Sequence, residues 1–152
     1  GSEPVVFEID GLKFSVPICF EDTFGYIGRR FVNNGARAFV NMSNDSWARS
    51  RACQLQHLSM AVFRSVENRV PSVRATASGE TVFVDPNGRI TASIAPFEEN
   101  YLVSTIPLIT DYKPTIYTRF GDYAGVLFTI FAFILLIFGG IMQIYKKSKK
   151  EK

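Results

Sequence analysis

Residues 124–145, AGVLFTIFAFILLIFGGIMQIY, contain no charged side chain, and this stretch constrains the chain more than any other. Roughly 22 residues at about 1.5 Å each make a helix about 33 Å long, enough to cross the hydrocarbon core of a bilayer. Lysines follow at once, at Lys146, Lys147, Lys149, Lys150 and Lys152. By the positive-inside rule this cluster marks the cytoplasmic side, so the residues before the span are expected on the outer face of a membrane. No signal peptide or second span is evident upstream. An external domain tethered only at its C-terminus needs an earlier segment to deliver it. The chain is therefore expected to be the C-terminal piece of something longer, with Gly1-Ser2 either native or a cloning scar.

The net charge of +3 is dominated by the tail, where five lysines and one glutamate give +4; upstream, 12 basic groups face 13 acidic ones. A near-neutral outer domain gives no case for nucleic acid as a partner. The tail reads as a topology signal that meets lipid headgroups. The two cysteines, Cys19 and Cys53, form no disulfide framework. With His57 as the single histidine, neither a metal site nor any other cofactor is expected.

Residues 5–9 and 12–18 flank Asp10-Gly11 and read as a β-hairpin with a primed turn, with Cys19 at the end of its second strand. Asp22-Thr23 is expected to cap a helix over 24–33, closed by Asn34-Gly35. Residues 38–42 form a short apolar strand after a helix, the pattern of a parallel core strand. The loop Ser43-Asn44-Asp45-Ser46-Trp47 lies at its carboxyl end. A long helix over 50–68 is expected to bury Leu55, Leu58, Val62 and Val66 and to stop at Pro71. Strands over 72–77, 81–84 and 89–94 follow, the last two joined by Asp85-Pro86-Asn87-Gly88, then a strand over 101–106. Alternating strands and helices followed by a meander imply an α/β layered sheet with antiparallel edges.

Cys19, between an apolar strand and a helix start, sits where α/β folds place their sites. A helix N-terminus there would favour a thiolate and offer backbone N–H groups to an oxyanion. Glu21 and Asp22 beside it would oppose a thiolate. The plainer reading is a buried structural cysteine. Trp47, the single tryptophan, is expected to share a pocket with Cys19 and to wall an acyl chain or headgroup, or else to be a rim aromatic. His57 could be proposed as a partner of Cys19, but a polar helix-face residue in mid-helix is the better reading. Arg64 and Glu67 read as a surface pair, and Arg74 as a strand residue open to pairing with an acid inside the layer that the sequence does not name.

Six blocks occur in order: Cys19-Phe20-Glu21, Asn44-Asp45-Ser46-Trp47, Gln56-His57-Leu58, Arg64-Ser65-Val66-Glu67-Asn68-Arg69, Arg74-Ala75-Thr76 with Ser78-Gly79, and Asp85-Pro86-Asn87-Gly88-Arg89-Ile90. Together they resemble the nitrilase (carbon–nitrogen hydrolase) domain, in the version carried by apolipoprotein N-acyltransferases. Tyr117-Thr118-Arg119-Phe120-Gly121-Asp122 is similar to the exit from that soluble domain toward a last span. The resemblance implies a partial nitrilase-type α-β-β-α sandwich over 1–110, a connector over 111–123, a transmembrane helix over 124–145 and a cytoplasmic tail over 146–152. It also implies a Glu-Lys-Cys triad with Cys19 as nucleophile. Glu21 is implied to be required beside it, and Phe20 stands where many relatives have Tyr. Phe20 and Trp47 are implied to meet substrate. The Phe20 backbone N–H and the family's lysine would stabilise the oxyanion.

The implied reaction moves an acyl chain from a phospholipid onto Cys19 as a thioester, then onto the diacylglyceryl-cysteine amine of a lipoprotein. The implied location is the bacterial inner membrane, with the soluble domain in the periplasm. The triad's Glu and Lys should lie far upstream of the cysteine, yet only 18 residues precede Cys19. Glu3, Glu8 and Lys13 do not correspond to them. The chain is thus expected to need the missing N-terminal part of the same enzyme and to be inactive alone. Alternatives are a membrane-anchored nitrilase-like amidase and a non-catalytic anchored remnant.

Overall fold

The computed structural model describes residues 3–48 and 50–150. Gly1-Ser2 and Lys152 of the tail lie outside the described residues. The chain divides into two units, one ending at Gly121 and the other beginning at Asp122.

The first unit opens with the expected hairpin, β1 (Phe7–Ile9) and β2 (Leu12–Phe14), paired antiparallel with Phe7 opposite Phe14. Asp10 at φ 48° and Gly11 at φ 81° both take the left-handed conformation that a primed turn demands. The second strand is shorter than expected. Pro17 has no N–H for a ladder, and past Phe14 only Ser15 and Ile18 make parallel bridges, to Phe39 and Met42. The chain then enters a 3-10 helix, Cys19–Thr23.

Helix α1 spans Gly25–Asn33. Its N-cap is Phe24, with no side-chain hydrogen bond, so Asp22-Thr23 do not cap it as the sequence led one to expect. Asp22 is drawn inward by stronger partners. Strand β3 (Phe39–Asn44) runs parallel to β4 (Ser72–Ala77), and helix α2 (Arg51–Asn68) makes the crossover between them. A parallel pair cannot be joined by a tight turn, so a helix of this length is the expected connection. Strands β5 (Thr81–Val84) and β6 (Ile90–Ile94) extend the sheet antiparallel, giving the order β3-β4-β5-β6.

Alternation along the strands puts Phe39, Asn41, Ser72, Arg74, Val82 and Val84 on the covered face of the sheet. Leu58 and Val62 of α2 pack on Val82 and Val84, and Val32 of α1 packs with Phe39 and Val70. Ser50 caps α2 by accepting the Cys53 N–H. The buried face of α2 differs from the expected one. Leu55 is 39% exposed, whereas Gln54, His57, Leu58, Ala61, Arg64, Ser65 and Asn68 are buried. Arg64 and Glu67 do pair, at 2.7 Å, but largely out of solvent.

Residues 101–106 form no strand, with Tyr101 85% and Val103 84% exposed. Their β-prone composition finds no ladder, and β-propensity without a partner does not make a strand. Further on, α3 (Ile116–Phe120) is tied to α1 and α2. Thr118 donates to Asn68 Oδ1 at 3.1 Å, and Arg29 donates to the Thr118 and Arg119 carbonyls.

The second unit is one helix, α4 (Tyr123–Lys150). Its stretch Tyr123–Lys147 is long and apolar enough to cross a membrane.

The turn before β6 tests the packing. Gly88 sits at φ +83°, and a Cβ there would overlap Val66 of α2. Gly88→Ala should lower the stability of the first unit by about 1–3 kcal/mol in urea denaturation, since strain and overlap both act against it.

Candidate active site

Cys19 sits at φ 50°, a left-handed conformation that costs a non-glycine residue about 1–2 kcal/mol. Its surroundings hold that turn from both sides. The Asn41 amide, buried on β3, donates to the carbonyls of Pro17 and Cys19 at 3.0 and 3.1 Å. Glu21 closes the other side: its N–H donates to the Ile18 carbonyl, and its carboxylate accepts the Ile18 N–H at 2.7 Å. The Glu21 charge is therefore engaged with backbone. A sharp strand-to-helix turn of this kind projects its side chain out of the sheet edge. Cys19 is half-buried and free, and Ser43 Oγ lies 3.6 Å from its Sγ.

The helix that begins at Cys19 differs from the expected one. It is a five-residue 3-10 helix, too short to act on the thiol through a dipole; α1 starts later, at Gly25.

Behind the turn lies a cluster of buried charge. His57 Nε2 is 2.8 Å from Asp22 Oδ1, and its Nδ1 is 3.1 Å from Asp45 Oδ1. Arg74 donates to Asp22 Oδ2 at 3.2 Å and to Asp45 Oδ2 at 2.9 Å, and its Nη2 lies 3.0 Å from His57 Nδ1. All four side chains are at most 4% exposed. His57 is thus no solvent-facing helix residue, and the acidic partners of Arg74 are Asp22 and Asp45. Burial works to raise the Asp45 carboxyl. The Ser43 hydroxyl, then Arg74 and His57, outweigh it and hold the group below its ordinary value of 3.8. Gly79 leaves room for Asp45: a Cβ there would lie 2.9 Å from Asp45 Cγ.

Aromatic rings cover this cluster. Phe20 stacks at a tilt on His57 with 5.0 Å between centroids, and Trp47 meets Phe20 edge-on at 6.1 Å. Phe24 and Tyr26 continue the row at 6.1 and 5.9 Å. Phe20 is 44% and Trp47 54% exposed, so the sequence-expected site residues Cys19, Phe20, Glu21 and Trp47 gather on one surface. Trp47 reaches this group through the Phe20 ring. A cavity of about 20 Å³ lies deeper, lined by Asp22, Asn41, Leu58, Arg64 and Arg74 among others. Sequence reasoning set Asp22 beside Cys19, put Ser43 and Asp45 in the loop at a strand end and left the acid partner of Arg74 unnamed, but it did not bring Ser43, Asp22, His57, Asp45 and Arg74 together. Among the described residues no cluster of His, Cys, Asp or Glu could hold a metal ion.

The carbon-nitrogen hydrolase family model matches residues 1–113. This chain belongs to that family. It is 53% identical over 146 residues to apolipoprotein N-acyltransferase 1 of Treponema pallidum, covering 96% of this chain and 27% of the relative. The apolipoprotein N-acyltransferase of Borreliella burgdorferi is 34% identical, over 91% of this chain and 26% of its own length. The chain thus spans about a quarter of these relatives. The yeast nitrilase-superfamily member Nit3 shares the fold with a TM-score of 0.54 at 24% identity, over 65% of this chain and 39% of Nit3. A carbon-nitrogen hydrolase from Helicobacter pylori does so with a TM-score of 0.55 at 16% identity, over 65% of this chain and 41% of its own. The nitrilase-like α/β fold expected from the sequence is the fold of this family.

His57→Ala should destabilise the first unit by about 1–3 kcal/mol, because each buried carboxylate loses one hydrogen-bond partner while keeping Arg74; chemical denaturation reads this directly. The Asp45 contribution has a sign in pH. A folded-state value below the ordinary 3.8 means its stabilisation is full above that value and is lost as pH falls through the depressed folded-state value. Thermal melts taken down through this acid range should show Asp45→Asn losing less stability with acid than the parent does.

Proposed function

We propose that this chain is the nucleophile-bearing C-terminal part of a membrane-bound lipoprotein N-acyltransferase, with Cys19 as the acyl carrier. The observation that carries this reading is Cys19 itself. It is a free, half-buried thiol held at a strained turn, beside an exposed row of aromatic rings. Such a row suits an acyl chain better than a small amide, which would need enclosing polar groups. The names of the relatives supply the reaction class.

In the proposed cycle the Cys19 thiolate attacks an ester carbonyl of a phospholipid. The carbon–oxygen ester bond breaks, the lysophospholipid alkoxide takes up a proton, and a thioester remains on sulfur. The α-amine of a diacylglyceryl-cysteine then attacks the thioester, the carbon–sulfur bond breaks, an amide forms, and the thiol is restored. Glu21 fixes the turn through the Ile18 backbone, and Phe20 and Trp47 contact the acyl donor. Among the described residues the carboxylates beside the Cys19 turn, those of Glu21, Asp22 and Asp45, are engaged with other partners. Glu8 and Lys13 pair with each other at 3.8 Å on the exposed hairpin. The triad's Glu and Lys are therefore proposed to come from the part of the relatives that this chain does not span, and the chain by itself is proposed not to turn over.

Residues 124–145 are proposed to cross the inner membrane with the lysine tail in the cytoplasm, placing residues 1–110 on the periplasmic side.

Incubation with phospholipid carrying a labelled acyl chain tests the proposal. With the upstream part of a relative supplied, a hydroxylamine-sensitive label should appear on the Cys19 peptide and vanish in Cys19→Ser. The chain alone should remain unlabelled. Label at full level in Cys19→Ser would sink the assignment of the nucleophile; robust label on the chain alone would refute its dependence on the upstream part.

A further inference from the structure

We propose that Ser43 is a further catalytic residue, a hydroxyl that turns between Asp45 and the Cys19 sulfur as the sulfur changes charge. The inference deepens the reading above and rests on Cys19 being the nucleophile.

Ser43 Oγ lies 2.7 Å from Asp45 Oδ1 and 3.6 Å from Cys19 Sγ. Sulfur is larger than oxygen, so both separations are within bonding reach. A serine hydroxyl has one hydrogen and two lone pairs, and it therefore donates to only one of these partners at a time. While Cys19 is a neutral thiol, the hydrogen belongs on Asp45, where the bond is short and charge-assisted. The thiol S–H can then point at an Oγ lone pair. Once the thiol proton has left for a base, the sulfur carries a full negative charge and has no hydrogen to offer. Rotation about the Ser43 Cβ–Oγ bond turns the same hydrogen from Asp45 to sulfur. The hydrogen stays on oxygen throughout, so Ser43 is neither an acid nor a base.

Asp45 tolerates the loss. It keeps the Arg74 Nη2 donor at 2.9 Å and the His57 Nδ1 contact at 3.1 Å. Its own position is fixed, with its N–H donating to the Ala77 carbonyl at the end of the β3–β4 ladder. Ser43 in turn is held by that ladder, opposite Thr76. The donor is thus aimed at the sulfur by a rigid strand end, with little reorganisation required when charge develops. Charge develops on this sulfur twice in the proposed cycle, before attack on the ester and when the amine expels it from the thioester.

The test is the rate at which iodoacetamide alkylates Cys19 at neutral pH in the full chain held in detergent micelles. Mass spectrometry follows the Cys19 and Cys53 peptides separately, so Cys53 serves as the internal reference. A hydrogen bond to a charged sulfur is worth about tenfold or more in the thiolate population, and the bond that Asp45 gives up offsets part of this, leaving a net gain of about threefold. Ser43→Ala should therefore slow Cys19 about threefold and leave Cys53 unchanged. Ser43→Thr keeps the hydroxyl and should restore the parental rate, whereas Ser43→Val, of the same shape, should not. The Thr and Val pair decides the matter even where Ser43→Ala fails to fold. A parental rate in Ser43→Ala, or equal rates in Ser43→Thr and Ser43→Val, overturns the proposal. Acyl labelling of Cys19 is read separately. A chain whose Cys19 takes the acyl label but ignores the Ser43 series loses only this inference. One whose Ser43 series behaves as expected, without acylation, keeps the hydroxyl–sulfur bond but loses the function and with it the catalytic role of Ser43.

Discussion

Arg74 and His57 between two aspartates hold together the elements on which the site stands. Asp22 belongs to the 3-10 helix that begins at Cys19, Asp45 to the loop after β3, His57 to α2 and Arg74 to β4. Each carboxylate is gripped by both basic residues, so none of the four elements can shift without breaking a buried ion pair. Such a network adds little net stability, because desolvation of the charges offsets most of their attraction. Its value here is positional. Removing one member costs about 1–5 kcal/mol, and that cost restricts the backbone to one arrangement.

The positional role explains why a strained turn persists at Cys19. A left-handed cysteine relaxes unless its surroundings over-determine it. Three independent restraints act within a few residues. Asn41 holds the carbonyls on both sides, Glu21 holds the Ile18 peptide, and Asp22 anchors the end of the turn to His57 and Arg74. The strain of about 1–2 kcal/mol is comparable to one such hydrogen bond, and the restraints together outweigh it. The side chain that gains from this arrangement is the thiol, which the turn leaves partly accessible while its neighbours are fixed.

Much of the fold could be read from the sequence because its signals are local. Asp10-Gly11 and Asp85-Pro86-Asn87-Gly88 define turns by their own chemistry, and the strands over 72–77 and 81–84 alternate clearly enough to place their ends. The site was half legible. Cys19, Phe20, Glu21 and Trp47 stand out by their position at strand ends. The charged cluster beneath them does not, because its members lie far apart in sequence and meet only through the fold. One periodic signal was present. Residues 54, 57, 58, 61, 64, 65 and 68 recur at three and four along α2, as a buried helix face should. Most of them are polar, so a reading that follows apolar residues selects Leu55 and Val66 instead and turns the helix away from its true inner face. The segment over 101–106 erred in the opposite direction, with strand composition but no edge to pair with.

The sheet has two faces, and the described residues cover one of them more fully than the other. Helices α1 and α2 bury Phe39, Asn41, Ser72, Arg74, Val82 and Val84, while on the opposite face Met42 is 53% exposed and Ala75 is also open. The Asp22–His57–Asp45–Arg74 network is buried on the covered side, while Cys19 is half-buried at the sheet edge. The contacts within the network therefore do not draw on anything packed against the open face. The proposed chemistry differs, since a nucleophilic Cys19 would require a base, whereas Glu21 is engaged with the Ile18 backbone and Asp22 and Asp45 with His57 and Arg74. The proposed division is physically consistent: the contacts around the turn fix where the sulfur sits, Ser43 would supply a hydroxyl to its charge, and proton removal would fall to groups that approach from outside this chain's own contacts.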